Sequence, residues 1–224
     1  MPEEKSIALV STTMDAALPM TAYLREHAPE YRLIHYLDGG LMDKLKREGG
    51  IRADSTRRFS SMIADAFTDG ADGVIMTCTI YSPWAEAFTQ IFHKPVVPAD
   101  IAMLDRASRC PGRTAILCTF EGTIETSRRS YLKYRRKNHM PEEVDIYPLP
   151  DAFREVRAGH MDIGNQIIAD RIHELDLRYE QIVLAQISMS GAASLVKTKH
   201  ARLFSSPPEA LGEMRERLME ENGG

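Results

Sequence analysis

The chain has 224 residues, 43% hydrophobic and 27% charged, a composition that excludes disordered and fibrous classes and suits one large domain or two small ones. Against 28 Lys and Arg stand 32 Asp and Glu, and the net charge of −4 offers no general attraction to nucleic acid or to an anionic membrane surface. The opening MPEEKSIALVSTT is acidic with only a short apolar run and does not read as a signal peptide, and no segment approaches the roughly 18 apolar residues of a membrane span. Cys78, Cys110 and Cys118 form no Cys-x-x-Cys pair, so neither a disulfide scaffold nor a four-ligand zinc site is expected, and the reduced cytoplasm is the expected compartment.

Taken in chain order, buried-strand runs are predicted at Ser6 to Val10, Tyr31 to Leu37, Gly73 to Met76, Pro95 to Val97, Thr114 to Cys118, Val144 to Tyr147, Gln181 to Ala185 and Ala201 to Phe204. Between them the apolar period turns helical. Phe59, Met62, Ile63, Ala66 and Phe67 share one helical face, with Gly70 as the C-terminal stop. Trp84, Ala87, Phe88, Ile91 and Phe92 repeat that spacing, with Ser82 as the expected N-cap and Pro83 in the first helical position. A basic run follows, Arg128, Arg129, Lys133, Arg135, Arg136 and Lys137 with Tyr131 and Tyr134 interleaved, and reads as the solvated face of one helix. Pro208 to Asn222 presents Leu211, Met214 and Leu218 on one face and is expected to pack back on the first half. Apolar strands alternating with amphipathic helices predict an α/β fold with parallel sheets covered on both faces.

A repeat overlies this pattern. Ile7 to Ser11 resembles Ala115 to Thr119, Gly73 to Cys78 resembles Gln181 to Gln186, and Lys94 to Pro98 falls on Arg202 to Ser206, each 108 positions on. The expected architecture is therefore two pseudo-symmetric three-layer α/β/α halves, residues 1–98 with 203–224 and residues 99–202, with the active-site cleft between them. Strand ends would bring Ser11, Thr12, Thr13, Thr77, Cys78 and Thr79 from the first half to that cleft, and Thr119, Glu121, Thr123, Gln186 and Ser188 from the second. Such hydroxyls suit a small carboxylate held also by backbone N–H groups at helix N-termini. Cys78 is the candidate reactive centre, because a helix N-terminus just beyond it would lower its pKa from about 8.5; the alternative is a buried thiol acting as a small hydrophobe. The seven histidines are scattered without metal-ligand spacing, and no glycine-rich phosphate loop occurs.

MTCTIYSP and VLAQISMSG, at matching places in the two halves, resemble the aspartate/glutamate/hydantoin racemase superfamily, as do ILCTFEGTIETS and LFSSPPEAL. The resemblance runs from about Ser6 to Leu211. It implies two pseudo-symmetric halves, no metal or organic cofactor, a small carboxylate or carbonyl substrate, and a homodimer as the common assembly. It also implies a pair of cysteines that move a proton on and off a carbon from opposite faces. Cys78 matches the first cysteine; the position of the second is Gln186, whose amide is neither acid nor base near neutral pH. The expected catalytic pair is thus Cys78, as acid/base or nucleophile, and Gln186, as an orienting group. Ser11, Thr12, Thr77, Thr79, Thr119, Thr123 and Ser188 are the expected substrate-binding residues. A single thiol leaves three chemistries open: one-face proton transfer, protonation after decarboxylation of a malonate-like acid, and addition to a double bond in cis–trans isomerisation. Beside the enzyme, a non-catalytic carboxylate-binding module remains the second reading.

Overall fold

A computed structural model describes residues 5–119 and 121–220. The opening Met1–Glu4, Phe120 of the ILCTFEGTIETS segment, and Glu221 and Asn222 of the expected last helix lie outside the described residues. The contacts divide the chain into Met1–Asp100 with Ala210–Gly224, and Ile101–Glu209.

In the first unit the elements run β1 (Ser6–Ser11), α1 (Met14–His27), β2 (Arg32–Leu37), α2 (Gly39–Glu48), α3 (Ala53–Thr68), β3 (Gly73–Met76), a 3-10 turn over Thr79–Trp84, α4 (Ala85–Phe92) and β4 (Val96–Pro98). The strands form one parallel sheet in the order β2-β1-β3-β4. Ala8, Val10, Val74, Met76 and Val96 pack with Phe59, Ile63 and Ala66 of α3 and Phe88 of α4. The alternate strand residues Ile7, Leu9, Ile75 and Val97 are equally out of water. Burial of both faces is why these strands read as continuous apolar runs, while the edge strand β2 mixes half-buried and exposed positions. Helix α3 stops where expected: Gly70 takes φ +89°, and Ala71 N–H bonds the Ala66 carbonyl at 3.0 Å. The late helix α10 (Ser206–Glu220) contributes Met214, which lies over Gly73 so closely that a Cβ there would sit 2.5 Å from its sulfur.

The second unit begins within α5 (Ala99–Ser108) and continues through β5 (Thr114–Cys118), a 3-10 turn over Glu121–Thr123, α6 (Ile124–Lys137), β6 (Val144–Pro148), α7 (Pro150–Arg157), α8 (Met161–Leu175), β7 (Gln181–Leu184), a 3-10 turn over Ile187–Met189, α9 (Ser190–Ala193) and β8 (Arg202–Phe204). Its parallel sheet has the order β6-β5-β7-β8, the topology of the first. Ala115, Leu117, Ile182 and Leu184 face Ile168, Ile172 and Leu175 of α8. Ile116, Cys118 and Val183 face Met103, Leu104 and Ala107 of α5 and Tyr131 of α6.

All eight expected strands form, and the fold is two four-stranded parallel sheets flanked by helices. Three expectations need correction. The helical segment after β3 opens at Thr79 as a 3-10 turn, and Ser82 does not cap it; its hydroxyl turns to Asp100 instead. The basic run of α6 is not uniformly solvated. Arg135 is 1% exposed, and its guanidinium donates to the carbonyls of Pro141 at 2.6 Å, Cys110 at 2.7 Å, Ser108 at 3.3 Å and Gly112 at 3.4 Å. Tyr131 is buried beside it with its hydroxyl on Thr114.

The repeat also carries a one-residue shift. Thr77 N–H bonds the Val10 carbonyl, and Ala185 N–H bonds that of Leu117; Asp38 N–H bonds Ser11, and Leu149 N–H bonds Cys118. Topologically, Ser11 therefore matches Cys118 and Thr12 matches Thr119, 107 positions on, while Cys78 still matches Gln186 at 108. Among the described residues no helix is long and apolar enough to cross a membrane.

Candidate active site

The ends of β1 and β3 bring a group of small polar side chains to one place in the first unit. Thr77 Oγ1 donates to Ser11 Oγ at 2.9 Å, and both side chains are buried. One residue further on, Cys78 starts the 3-10 turn with extended backbone, φ −110° and ψ 104°, and is 6% exposed. The Thr12 hydroxyl, from the loop after β1, hydrogen-bonds the thiol. The backbone N–H groups of Ile80 and Tyr81 bear on the sulfur as well, though neither closes a capping bond. Thr79 is half-buried in the first turn. Tyr81 stacks on Phe59 with centroids 4.1 Å apart and walls the turn against α3.

Here the sequence reading of the thiol is overturned in one respect. Burial pushes the Cys78 thiol up from its ordinary value, outweighing the Thr12 hydrogen bond and the two N–H groups, which favour the thiolate, and the Asp100 carboxylate pushes the same way as burial. The N–H groups at the start of the 3-10 segment do not offset the loss of water. Cys78 rests as a thiol.

The second unit builds the same corner with different chemistry. Gln186 follows β7 as Cys78 follows β3, and it too opens a 3-10 turn. Its Oε1 accepts from the Thr119 N–H at 3.0 Å and from the Thr119 hydroxyl at 3.2 Å, and its Nε2 donates to Thr123 Oγ1. Thr12 on Cys78 and Thr119 on Gln186 are thus the same contact made twice. Ser188 is half-buried in the turn after Gln186, and Glu121 is exposed. Cys118 lies in the core, its thiol pushed up by burial to about 11, so it is a wall of the hydrophobic layer rather than a reactive group. Cys110 is half-buried near Arg202, with its sulfur 3.7 Å from the guanidinium.

Two residues that the sequence does not single out for function adjoin Cys78. Ser82 is buried, with its hydroxyl 3.5 Å from the Cys78 carbonyl and bonded to Asp100, itself a buried carboxylate in the first turn of α5. The only trace of Asp100 in the sequence is an acidic residue two places after a short strand, a pattern shared by many helix starts.

With this geometry established, comparison with known proteins divides sharply between sequence and structure. No protein-family model matches the chain, and no curated protein matches it. Solved structures do. The aspartate racemase of Picrophilus torridus superposes with a TM-score of 0.71 over 96% of this chain and 94% of its own, at 13% identity. The chain shares the fold of this racemase. Allantoin racemase from Klebsiella pneumoniae shares that fold at TM-score 0.72 and 15% identity, covering 97% of this chain and 89% of its own. Glutamate racemase from Francisella tularensis, in complex with D-glutamate, does so at 0.65 and 14%, covering 98% and 82%. A racemase fold conserved at so low an identity rests on strand order and buried apolar volume, which many sequences can supply.

Proposed function

We propose that the chain is a cofactor-independent isomerase of the racemase type, acting at a carbon centre of a small carboxylate or carbonyl compound through Cys78. The carrying observation is that the Cys78 thiol, hydrogen-bonded by the Thr12 hydroxyl and next in sequence to the Thr77–Ser11 pair, stands two residues past β3, where its topological counterpart in the second unit is Gln186. The activities for which the structural neighbours are named, aspartate, glutamate and allantoin racemisation, support isomerisation over decarboxylation.

A mechanism follows from the resting thiol. The small thiolate fraction of Cys78 removes a proton from one face of the carbon; a water molecule then gives a proton to the opposite face, and the hydroxide left takes the proton of the Cys78 thiol, whereas return from the thiol itself only exchanges the hydrogen. The hydroxyls of Thr12, Ser11 and Thr77, with the N–H groups of the 3-10 turn, stabilise the enolate-like charge that develops between the two steps. Gln186, at the matching place in the second unit and held by Thr119 and Thr123, takes no proton. A raised thiol pKa makes the base scarce but strong, so turnover rises with pH until the thiolate predominates.

The test is proton NMR in D₂O with a panel of amino acids, hydantoins, ureido acids and dicarboxylates. Deuterium appearing at a substrate carbon with the wild-type chain and not with Cys78→Ala supports the reading. Equal exchange by both proteins removes Cys78 from the mechanism. Thermal stabilisation by a carboxylate without exchange would instead favour the binding module.

A further inference from the structure

Three neighbouring groups behind the reactive position are almost wholly out of water: Cys78 and Asp100, each 6% exposed, and Ser82, 5% exposed. The Ser82 hydroxyl has one proton and stands between two acceptors, the Cys78 carbonyl oxygen at 3.5 Å and Asp100 Oδ1, to which it is the closer. A carboxylate so deeply buried is stable only with donors and a favourable field. Ser82 supplies a donor, and the first turn of α5 supplies the field of a helix N-terminus. Neither arrangement is required by the fold of the 3-10 turn, whose own backbone bond runs from Tyr81 N–H to the Cys78 carbonyl.

We propose that Asp100 is a positioning residue for Cys78: its carboxylate, held by the Ser82 hydroxyl that stands beside the Cys78 carbonyl, acts by its charge on the turn that carries the sulfur. The inference rests on the reading of Cys78 as the acid/base and adds the element that sets its resting state. The groups that bear on the thiol are the Thr12 hydroxyl from the loop after β1, the Ile80 and Tyr81 N–H groups from its own turn, and the Asp100 carboxylate from α5. Of these, Asp100 alone brings a carboxylate. Its charge disfavours a thiolate beside it, and its hold on Ser82 fixes the turn that carries the sulfur.

The full chain is treated with iodoacetamide at about pH 8, and modification of each cysteine is followed by peptide mass spectrometry. Asp100→Asn keeps an acceptor for Ser82 and removes the charge, so Cys78 is expected to react roughly three- to tenfold faster. The core thiol Cys118 serves as internal control and is expected to keep its rate. A Cys78 rate within twofold of wild type overturns the proposal. So does acceleration of Cys78 and Cys118 together, which reports a loosened fold. Should Asp100→Asn fail to fold, Ser82→Ala decides: with its donor gone the carboxylate acts unquenched, Cys78 is expected to slow by about twofold or more, and an unchanged or faster rate overturns the proposal. The readout needs no substrate. A shifted rate with no turnover would refute the isomerase and leave the positioning role standing. Turnover lost in Cys78→Ala with an unshifted Asp100→Asn rate would refute the positioning role alone.

Discussion

Arg135 offers the largest stability effect that the structure allows to be worked through. It is one of the largest fully buried side chains, 1% exposed, and sits over the Tyr131 ring with 5.8 Å from guanidinium carbon to centroid. Its four carbonyl partners belong to the segment that leads from α5 into β5 and to the one that follows α6. Arg135→Ala removes two short hydrogen bonds, at 2.6 and 2.7 Å, and two long ones, at 3.3 and 3.4 Å. A short bond to a charged donor contributes about 2 kcal/mol net, and a long one a fraction of that. Gln181 Nε2 still donates to the Cys110 carbonyl at 2.9 Å, so that oxygen is not orphaned. The expected loss is about 3–4 kcal/mol, a large share of the 5–15 kcal/mol typical of a folded domain. Arg135→Lys keeps the charge but cannot span four acceptors from one nitrogen, and about half the loss is expected. Urea denaturation at equilibrium measures both. Amide exchange should quicken first over residues 108–113. A loss below about 1 kcal/mol for Arg135→Ala would refute the account of this guanidinium as the clamp of the α5–β5 connection.

Other expectations are as direct. Asp176, at the end of α8, accepts the N–H groups of Lys199, His200 and Ala201 at 2.7, 3.0 and 2.7 Å; burial raises its carboxyl, but these donors outweigh it and hold it below its ordinary value. Asp176→Ala should cost about 2–3 kcal/mol near neutral pH. Because the folded value is the lower one, that stabilisation is complete above the unfolded carboxylate value of about 3.9 and is lost as pH falls through the folded value, so the gap between wild type and variant should close in acid. Gln186→Ala leaves the buried Thr119 N–H without its acceptor, and denaturation should show a loss of about 1–2 kcal/mol; an unchanged midpoint would mean that water replaces the amide. Gly73→Ala would press on the Met214 sulfur and should destabilise by about 1–3 kcal/mol, with Gly73→Ala combined with Met214→Leu less than additive. Among the thiols, half-buried Cys110 should be alkylated well before Cys78 and Cys118 at neutral pH, as burial raises the latter two; equal rates would contradict that order.

The strands were legible because β1, β3, β5 and β7 are buried on both faces, so each announces itself as an unbroken apolar run. From those runs the strand-end residues followed: Thr12 bonds the Cys78 thiol and Thr77 bonds Ser11, while Gln186 bonds Thr119 and Thr123. Other features depend on three-dimensional partners that periodicity does not carry. Arg135 shares a run with exposed arginines, and only the carbonyls of Ser108, Cys110, Gly112 and Pro141 set it apart. Ser82-Pro83 has the form of a helix start, yet the turn begins earlier because Tyr81 N–H already bonds the Cys78 carbonyl. The ionisation of Cys78 is not legible in the sequence, because helix position is visible there while the depth of burial is not. The repeat was found, but apolar strands resemble one another at neighbouring offsets, and only hydrogen-bond register separates 107 from 108.

The paired corners, Thr12 on Cys78 and Thr119 on Gln186, have a consequence for how such a chain can change. Each threonine bonds the side chain that stands two places beyond the third strand of its unit, and the paired residues that set the sheet register lie before that place. The position is a socket with a fixed donor beside it. A thiol and a carboxamide fill it in two copies of one topology within a single molecule. Reactivity at this place can therefore be gained or lost by one substitution, while the scaffold that positions it is inherited unaltered.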